Sequence, residues 1–173
     1  MSTAGRPTLL LLPGLVCDEA VWEPQRAALA AGHEVVIADY GDADTLAEMA
    51  RRALAGVGPA TGIAVAGHSM GGRVAFEMWR MARERIARVA LLDTGVHPLA
   101  AGEAGERERA GRMALLELAR REGMRAMARE WARGMVHPDR IGGPVFDAVL
   151  DMFERKTPAI FAAQVAALLG RPD

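Results

Sequence analysis

One ten-residue segment constrains the fold of this chain more than any other. Residues 63–72 read IAVAGHSMGG. An apolar run typical of a buried strand comes first, and it is followed by a serine with one glycine two positions before it and another two positions after it. A segment of helical character, residues 73–83, follows directly. Gly67 and Gly71 have no side chain, so a strand and a helix can pass close to each other there. The segment therefore predicts a strand, a sharp turn at Ser69 and a helix.

Short apolar runs alternate with helical segments in the first 95 residues. This alternation predicts an α/β fold, a mostly parallel sheet with helices on both faces. The carboxyl ends of such strands gather catalytic groups, and Pro13-Gly14, Ser69 and Asp93-Thr94 all occupy those ends. Strands are predicted over Thr8–Leu12, Glu34–Ala38, Ile63–Ala66 and Arg88–Leu92, and helices over 25–31, 45–55 and 73–83.

The pattern changes after His97-Pro98. Residues 99–170 have helical periodicity throughout, with glycines and prolines at the breaks. Thr157-Pro158 offers a capping hydroxyl followed by a proline, which is a typical helix start. Helices are predicted over 103–121, over 124–135, from Gly142-Gly143-Pro144 to Lys156, and over 159–169.

The composition excludes several classes of partner and site. The chain has a formal net charge of −1, so no overall field attracts nucleic acid or an anionic membrane. The apolar run Leu9–Leu12 is too short to span a bilayer and lacks the flanks of a signal peptide. Cys17 is the one cysteine, so an internal disulfide is impossible, which suits a cytoplasmic protein.

No sequence pattern indicates a metal or a cofactor. The histidines and acidic residues show no metal-ligand spacing, and cysteines do not cluster. The glycines at 67, 71 and 72 lack both the phosphate-binding lysine and the dinucleotide spacing. We therefore expect a site that works with side chains and backbone amides alone.

Two motifs resemble the α/β-hydrolase family. LPGL at residues 12–15 is similar to the family's oxyanion-loop strand, and GHSMG at 67–71 is similar to its nucleophile elbow. Residues 88–93 look like the strand after the elbow helix. The resemblance covers most of the chain. It implies a partial α/β-hydrolase core over 1–97, and a helical cap with the start of a linker over 98–173.

The resemblance also implies roles for individual residues. Ser69 would be the nucleophile, and the backbone amides of Met70 and Leu15 (or its neighbour Val16) would form the oxyanion hole. Losing one such donor costs roughly 3–4 kcal/mol of barrier. Gly14 and His68 would border the substrate pocket. A serine at this position implies a serine hydrolase that acts on a small ester or thioester through an acyl-enzyme.

The resemblance is incomplete where the catalytic acid and base are concerned. Family members carry the acid and then the histidine after the serine, and the histidine lies near the carboxyl terminus. We therefore expect this chain to be the front part of a longer hydrolase, with both groups beyond residue 173. Within the chain, Asp93 and His97 are the alternative pair, because they follow the fourth strand at the catalytic end.

Two features of the helical region allow more than one interpretation. The stripe Met124, Met127, Ala128, Trp131 and Met135 predicts ordinary helix packing, or an adaptable apolar wall over an acyl group. The arginine-rich faces at 107–112 and 120–133 are typical of solvated helix surface, although they would also suit a carboxylate-bearing substrate or a carrier protein.

Two other functions stay open. One is a non-catalytic ligand-binding protein on the same scaffold, since fold does not fix function. The other is an acyltransferase or a lyase on the same fold.

Overall fold

A four-stranded parallel sheet forms the centre of the molecule. The computed structural model describes residues 6–172. The spatial order of the strands is β2-β1-β3-β4, and each neighbouring pair runs in parallel. This architecture confirms the predicted α/β fold. The strands are β1 (Thr8–Leu12), β2 (Glu34–Ile37), β3 (Ile63–His68) and β4 (Ile86–Leu92).

Alternate residues of β1 enter two different apolar clusters. Leu10 and Leu12 belong to the large core that also holds Met49 and Met78 of the helices between strands. Leu9 and Leu11 point to the other face and pack with Trp22. A central strand that is apolar on both faces is typical of a parallel sheet covered on both sides. The run of four leucines therefore specifies the layered fold.

Within residues 6–172, seven α-helices accompany the sheet, and their ends differ slightly from the predicted ones. The first helix begins two residues earlier than predicted, because Pro24 occupies its first turn, where the missing N–H costs nothing. The fifth ends at Ala132 rather than Met135, in a turn that includes Gly134. The helices are α1 (Glu23–Leu29), α2 (Leu46–Gly56), α3 (Met70–Ala82), α4 (Glu103–Glu122), α5 (Met124–Ala132), α6 (Pro144–Glu154) and α7 (Pro158–Leu169).

Strand β4 is an apolar edge. It pairs with β3 on one side, and every residue of the strand after Ile86 is exposed. Val89, Leu91 and Leu92 are 39%, 44% and 43% exposed. Strand edges of this kind are usually covered or protected by charge.

Two side chains fasten the loop after β1 to the helical region. Arg155, at the end of α6, makes two hydrogen bonds to the Asp18 carboxylate, at 2.7 Å and 3.0 Å. Burial raises the pKa of Asp18, but the Arg155 guanidinium and the Ala20 amide outweigh it and hold that pKa below its usual value. Gln164 of α7 accepts a hydrogen bond from the Val16 amide at 2.7 Å. The loop therefore lies between the sheet and the helices α6 and α7.

Candidate functional site

The turn between β3 and α3 holds Ser69 in an unusual backbone conformation. Ser69 has φ 53° and ψ −116°, outside the regions that most side chains adopt. Its amide donates to the Leu92 carbonyl at 2.9 Å, and its carbonyl accepts from the Gly72 amide and from Thr94 Oγ1. These hydrogen bonds hold Ser69 in a backbone conformation that is otherwise costly. Strained positions of this kind persist only where the surrounding structure fixes them. The predicted sharp turn at Ser69 is thus present.

Three glycines make this turn possible because they let neighbouring segments of the chain pack closely against the start of α3. A Cβ on Gly71 would lie 2.0 Å from the Leu12 carbonyl oxygen, and one on Gly67 would lie 2.5 Å from the Gly71 oxygen. A Cβ on Gly72 would lie 1.9 Å from Thr94 Oγ1. No side chain fits at these distances, so the start of α3 packs directly on β1 and β3.

The loop after β1 approaches the same serine. A Cβ on Gly14 would lie 3.1 Å from His68 Nδ1 and 3.5 Å from Ser69 Cβ. Leu15, the next residue, lines a cavity together with Ser69 and Met70. Among the described residues, nothing accepts a hydrogen bond from the Leu15 amide. Met70 opens α3, where backbone amides have no partner within the helix. Leu15 and Met70, the two residues predicted to supply oxyanion-binding amides, thus line the space beside Ser69.

The neighbouring amide of Val16 has a different partner. Val16 is fully buried with φ 53°, and its N–H donates to Gln164 Oε1 at 2.7 Å. The Val16 amide is therefore occupied, which favours Leu15 over Val16 as the candidate oxyanion donor. Gln164 is itself 2% exposed, and its side chain reaches the loop from α7.

An apolar cavity of about 560 Å³ opens on one side of Ser69. His68 lies in its wall, and the His68 Nδ1 atom is buried with no hydrogen-bond partner among the described residues. Met124 and Met127 of the predicted stripe pack in the core, whereas Trp131 and Met135 face this cavity. The core packing predicted for the stripe is thus present for Met124 and Met127, and the role of Trp131 and Met135 as a wall over an acyl group stays a prediction. The rest of the wall is Cys17, Val21, Asp93, Gly134, Val136, Val149, Met152 and Phe153.

A second, more polar cavity of about 340 Å³ also reaches Ser69. Leu15 and Met70 line it as well. Trp131 borders both cavities, so the two spaces are neighbours around one hydroxyl. The remaining wall consists of Arg73, Gly95, Glu108, Arg112, Leu168 and Arg171.

The alternative pair Asp93 and His97 is not assembled around the serine. Asp93 shares the apolar cavity with Ser69, but His97 is exposed and lines neither cavity. The His97 carbonyl accepts hydrogen bonds from Arg73 and Arg171, whereas its ring makes none to described residues. No described side chain is hydrogen-bonded to Ser69 Oγ.

Several residues of this region carry no signal in the sequence. Gln164 lies 148 positions from the amide it bonds, within an apolar helix, and nothing local marks it. Thr94 is an ordinary residue after a strand, and its role in the turn depends on tertiary contact. In the sequence Arg112 looks like helix surface and Arg171 like part of a linker, and only the meeting of α4 with the segment after α7 brings them together.

The comparison with protein families is decisive for the classification. A model described as "Alpha/beta hydrolase family" matches residues 9–172. The chain belongs to the alpha/beta hydrolase family. The predicted resemblance is thus confirmed, and no curated protein sequence matches the chain.

Several solved structures superimpose on the chain over nearly its whole length. An esterase from Thermogutta terrifontis, solved with malate bound, has a TM-score of 0.73 and 27% identity, over 98% of this chain and 65% of that one. The enol-lactonase from Burkholderia xenovorans LB400 has a TM-score of 0.77 and 22% identity, over 99% and 68%. A hydrolase from Pseudomonas aeruginosa PA01 has a TM-score of 0.77 and 21% identity, over 97% of this chain and 66% of that one. The chain thus spans about two-thirds of the length of these relatives.

Two kinds of feature are absent from the described residues. Within residues 6–172, no helix has both the length and the apolar composition that a bilayer crossing requires. The same residues contain no group of three or more histidine, cysteine or acidic side chains placed to hold a metal ion.

Proposed function

We propose that this chain supplies the nucleophile and the oxyanion-binding amides of a serine hydrolase for small esters or thioesters. The observation that carries the proposal is Ser69, held at φ 53° in a turn that borders a cavity also lined by Leu15 and Met70. The turn belongs to a chain of the hydrolase family, and esterases and a lactonase are among its structural neighbours. We further propose that residues 98–173 act as a cap over the core of residues 1–97.

The reaction follows from this arrangement. Ser69 Oγ forms a bond to the substrate carbonyl carbon while its proton passes to a general base. The carbonyl oxygen becomes negative, and the amides of Leu15 and Met70 stabilise it. The C–O or C–S bond then breaks, and the alcohol or thiol leaves with a proton. Water attacks the acyl-serine in the second half, which releases a carboxylic acid and restores the hydroxyl.

A serine hydroxyl is a weak nucleophile without its base. Because no described side chain is hydrogen-bonded to Ser69 Oγ, a base must reach it from outside residues 6–172 or by a rearrangement within them. The same observation favours a second candidate function, a protein that binds an apolar ligand in the cavity of about 560 Å³ without converting it.

Burst kinetics separate these two functions. A protein that contains residues 1–173 is mixed with 4-nitrophenyl acetate, and released 4-nitrophenol is followed over time. An acyl-enzyme predicts a burst equal to the protein concentration, which Ser69→Ala removes and Thr61→Ala, at an exposed position, preserves. Binding of the ester with no 4-nitrophenol release would support the ligand-binding function instead. Product analysis with an added alcohol distinguishes hydrolysis from acyl transfer or elimination.

A further inference from the structure

The polar cavity beside Ser69 is lined by an excess of positive charge. Arg73 of α3, Arg112 of α4 and Arg171 after α7 all border it, together with one carboxylate, Glu108. Three guanidinium groups against one carboxylate leave two uncompensated positive charges among these wall residues. The arginines come from three separate elements, so the fold rather than one helix surface brings them together. Their convergence beside a candidate nucleophile indicates more than solvated helix surface.

Glu108 is shared by two of the three arginines. Arg171 donates hydrogen bonds to both carboxylate oxygens of Glu108, at 2.8 Å and 2.7 Å, and Arg112 donates to one of these oxygens at 2.9 Å. The Arg171 side chain is 8% exposed and uses its remaining donors on the carbonyls of His97, Pro98 and Leu168. These two arginines therefore have partners within the wall.

Arg73 has no carboxylate partner among the described residues. It makes one hydrogen bond, from Nη1 to the His97 carbonyl at 3.0 Å, so four of its five N–H donors are not used there. A Cβ on Gly95 would lie 3.0 Å from Arg73 Nη2, so the absent side chain leaves room for the guanidinium. Burial, together with the positive charges of Arg171 and Arg112, lowers the pKa of Arg73. An anion in this cavity would relieve the repulsion and satisfy free donors.

We infer that this cavity is a carboxylate subsite, and that the preferred substrates are esters whose other end carries a free carboxylate. The carboxylate matches the planar guanidinium of Arg73, which can donate to both oxygens. The uncharged part of the substrate enters the apolar cavity on the other side of Ser69, which places the ester carbonyl between the two spaces. The claim that the substrate is an ester rests on the proposed function. The claim that it carries a carboxylate rests on the charges of the cavity wall.

A binding measurement tests the subsite without requiring turnover. The Ser69→Ala variant of a protein that contains residues 1–173 is titrated calorimetrically with monomethyl succinate and with dimethyl succinate. These ligands differ in one methyl group and one negative charge. We expect monomethyl succinate to bind about tenfold more tightly or better, since a charge-assisted pair contributes at least that factor. Arg73→Gln should remove the preference.

Two further variants control for charge and for folding. Arg120→Gln removes an exposed guanidinium from the same helix as Arg112, outside both cavities, and should leave the preference intact. Arg73→Lys keeps the charge without the planar donor pair and should retain part of the preference. Equal affinity for the two esters, or a preference that survives Arg73→Gln, would overturn the subsite.

Turnover by the protein with Ser69 intact separates the two proposals. Hydrolysis of dimethyl succinate without any preference for the monoester in binding would support the proposed function and refute the subsite. A binding preference that depends on Arg73, with neither ester hydrolysed, would support the subsite and refute the hydrolase function.

Discussion

The contact between Gln164 and Val16 predicts a measurable effect of a change far from the serine in sequence. Gln164→Leu keeps a side chain of similar size but removes the oxygen that accepts the Val16 amide hydrogen at 2.7 Å. Both residues are buried, so the amide would lose its partner without gaining water. A buried donor left without a partner costs about 1–3 kcal/mol. Urea unfolding should show this loss as a lower midpoint with an unchanged slope.

The same substitution should also slow chemistry at Ser69. Val16 has φ 53°, a costly conformation for a branched residue, and the hydrogen bond to Gln164 helps to hold it. Release of this bond would let the adjacent Leu15 amide move away from the proposed oxyanion position.

Gln25→Leu is the matched control, because Gln25 is exposed on α1 and its replacement should change stability by about 0.5 kcal/mol or less. The reasoning is refuted if Gln164→Leu unfolds at the wild-type urea concentration.

Two further predictions concern packing and charge. Gly71→Ala would place a methyl group 2.0 Å from the Leu12 carbonyl oxygen, so thermal unfolding should show a loss of about 3 kcal/mol or more, whereas Gly32→Ala, with nothing within 4 Å, should be nearly neutral. Hydrogen bonds from Arg171 and, to a smaller extent, from Arg112 outweigh the effect of burial and lower the pKa of Glu108 from 4.5 to about 2. Because the folded-state pKa is depressed, the ion pair stabilises the protein above pH 4.5 and this stabilisation fades as the pH falls towards 2. The stability difference between the wild type and Glu108→Gln should therefore shrink over that range; a difference that is constant from pH 7 to 2.5 would contradict the assignment.

Local patterns in the sequence account for most of the fold. Strand β1 is central and covered on both faces, so the residues on both of its faces are apolar. In the sequence this appears as an uninterrupted run of leucines. The turn at Ser69 was predictable because close packing demands glycine at 67 and 71, whatever the surrounding side chains. The helix ends were less predictable, since capping and turn geometry shift them by a few residues.

The walls of the candidate site could not be derived in the same way. Arg73, Arg112 and Arg171 meet because α3, α4 and the segment after α7 converge, and no short-range pattern encodes that convergence. The sequence identifies arginine-rich faces but not which arginine turns inward. The pairing of Gln164 with Val16 is similar, because a single polar residue in an apolar helix has no visible partner until the loop after β1 packs against it.

The residue modified by a fluorophosphonate probe tests the central claim most directly. A protein that contains residues 1–173 is treated with the probe, digested, and mapped by tandem mass spectrometry. Activation of Ser69 predicts one adduct per molecule, on the peptide that contains Ser69, and no adduct in the Ser69→Ala variant. A folded protein whose Ser69 stays unmodified, or that carries the adduct on another residue, would contradict the account.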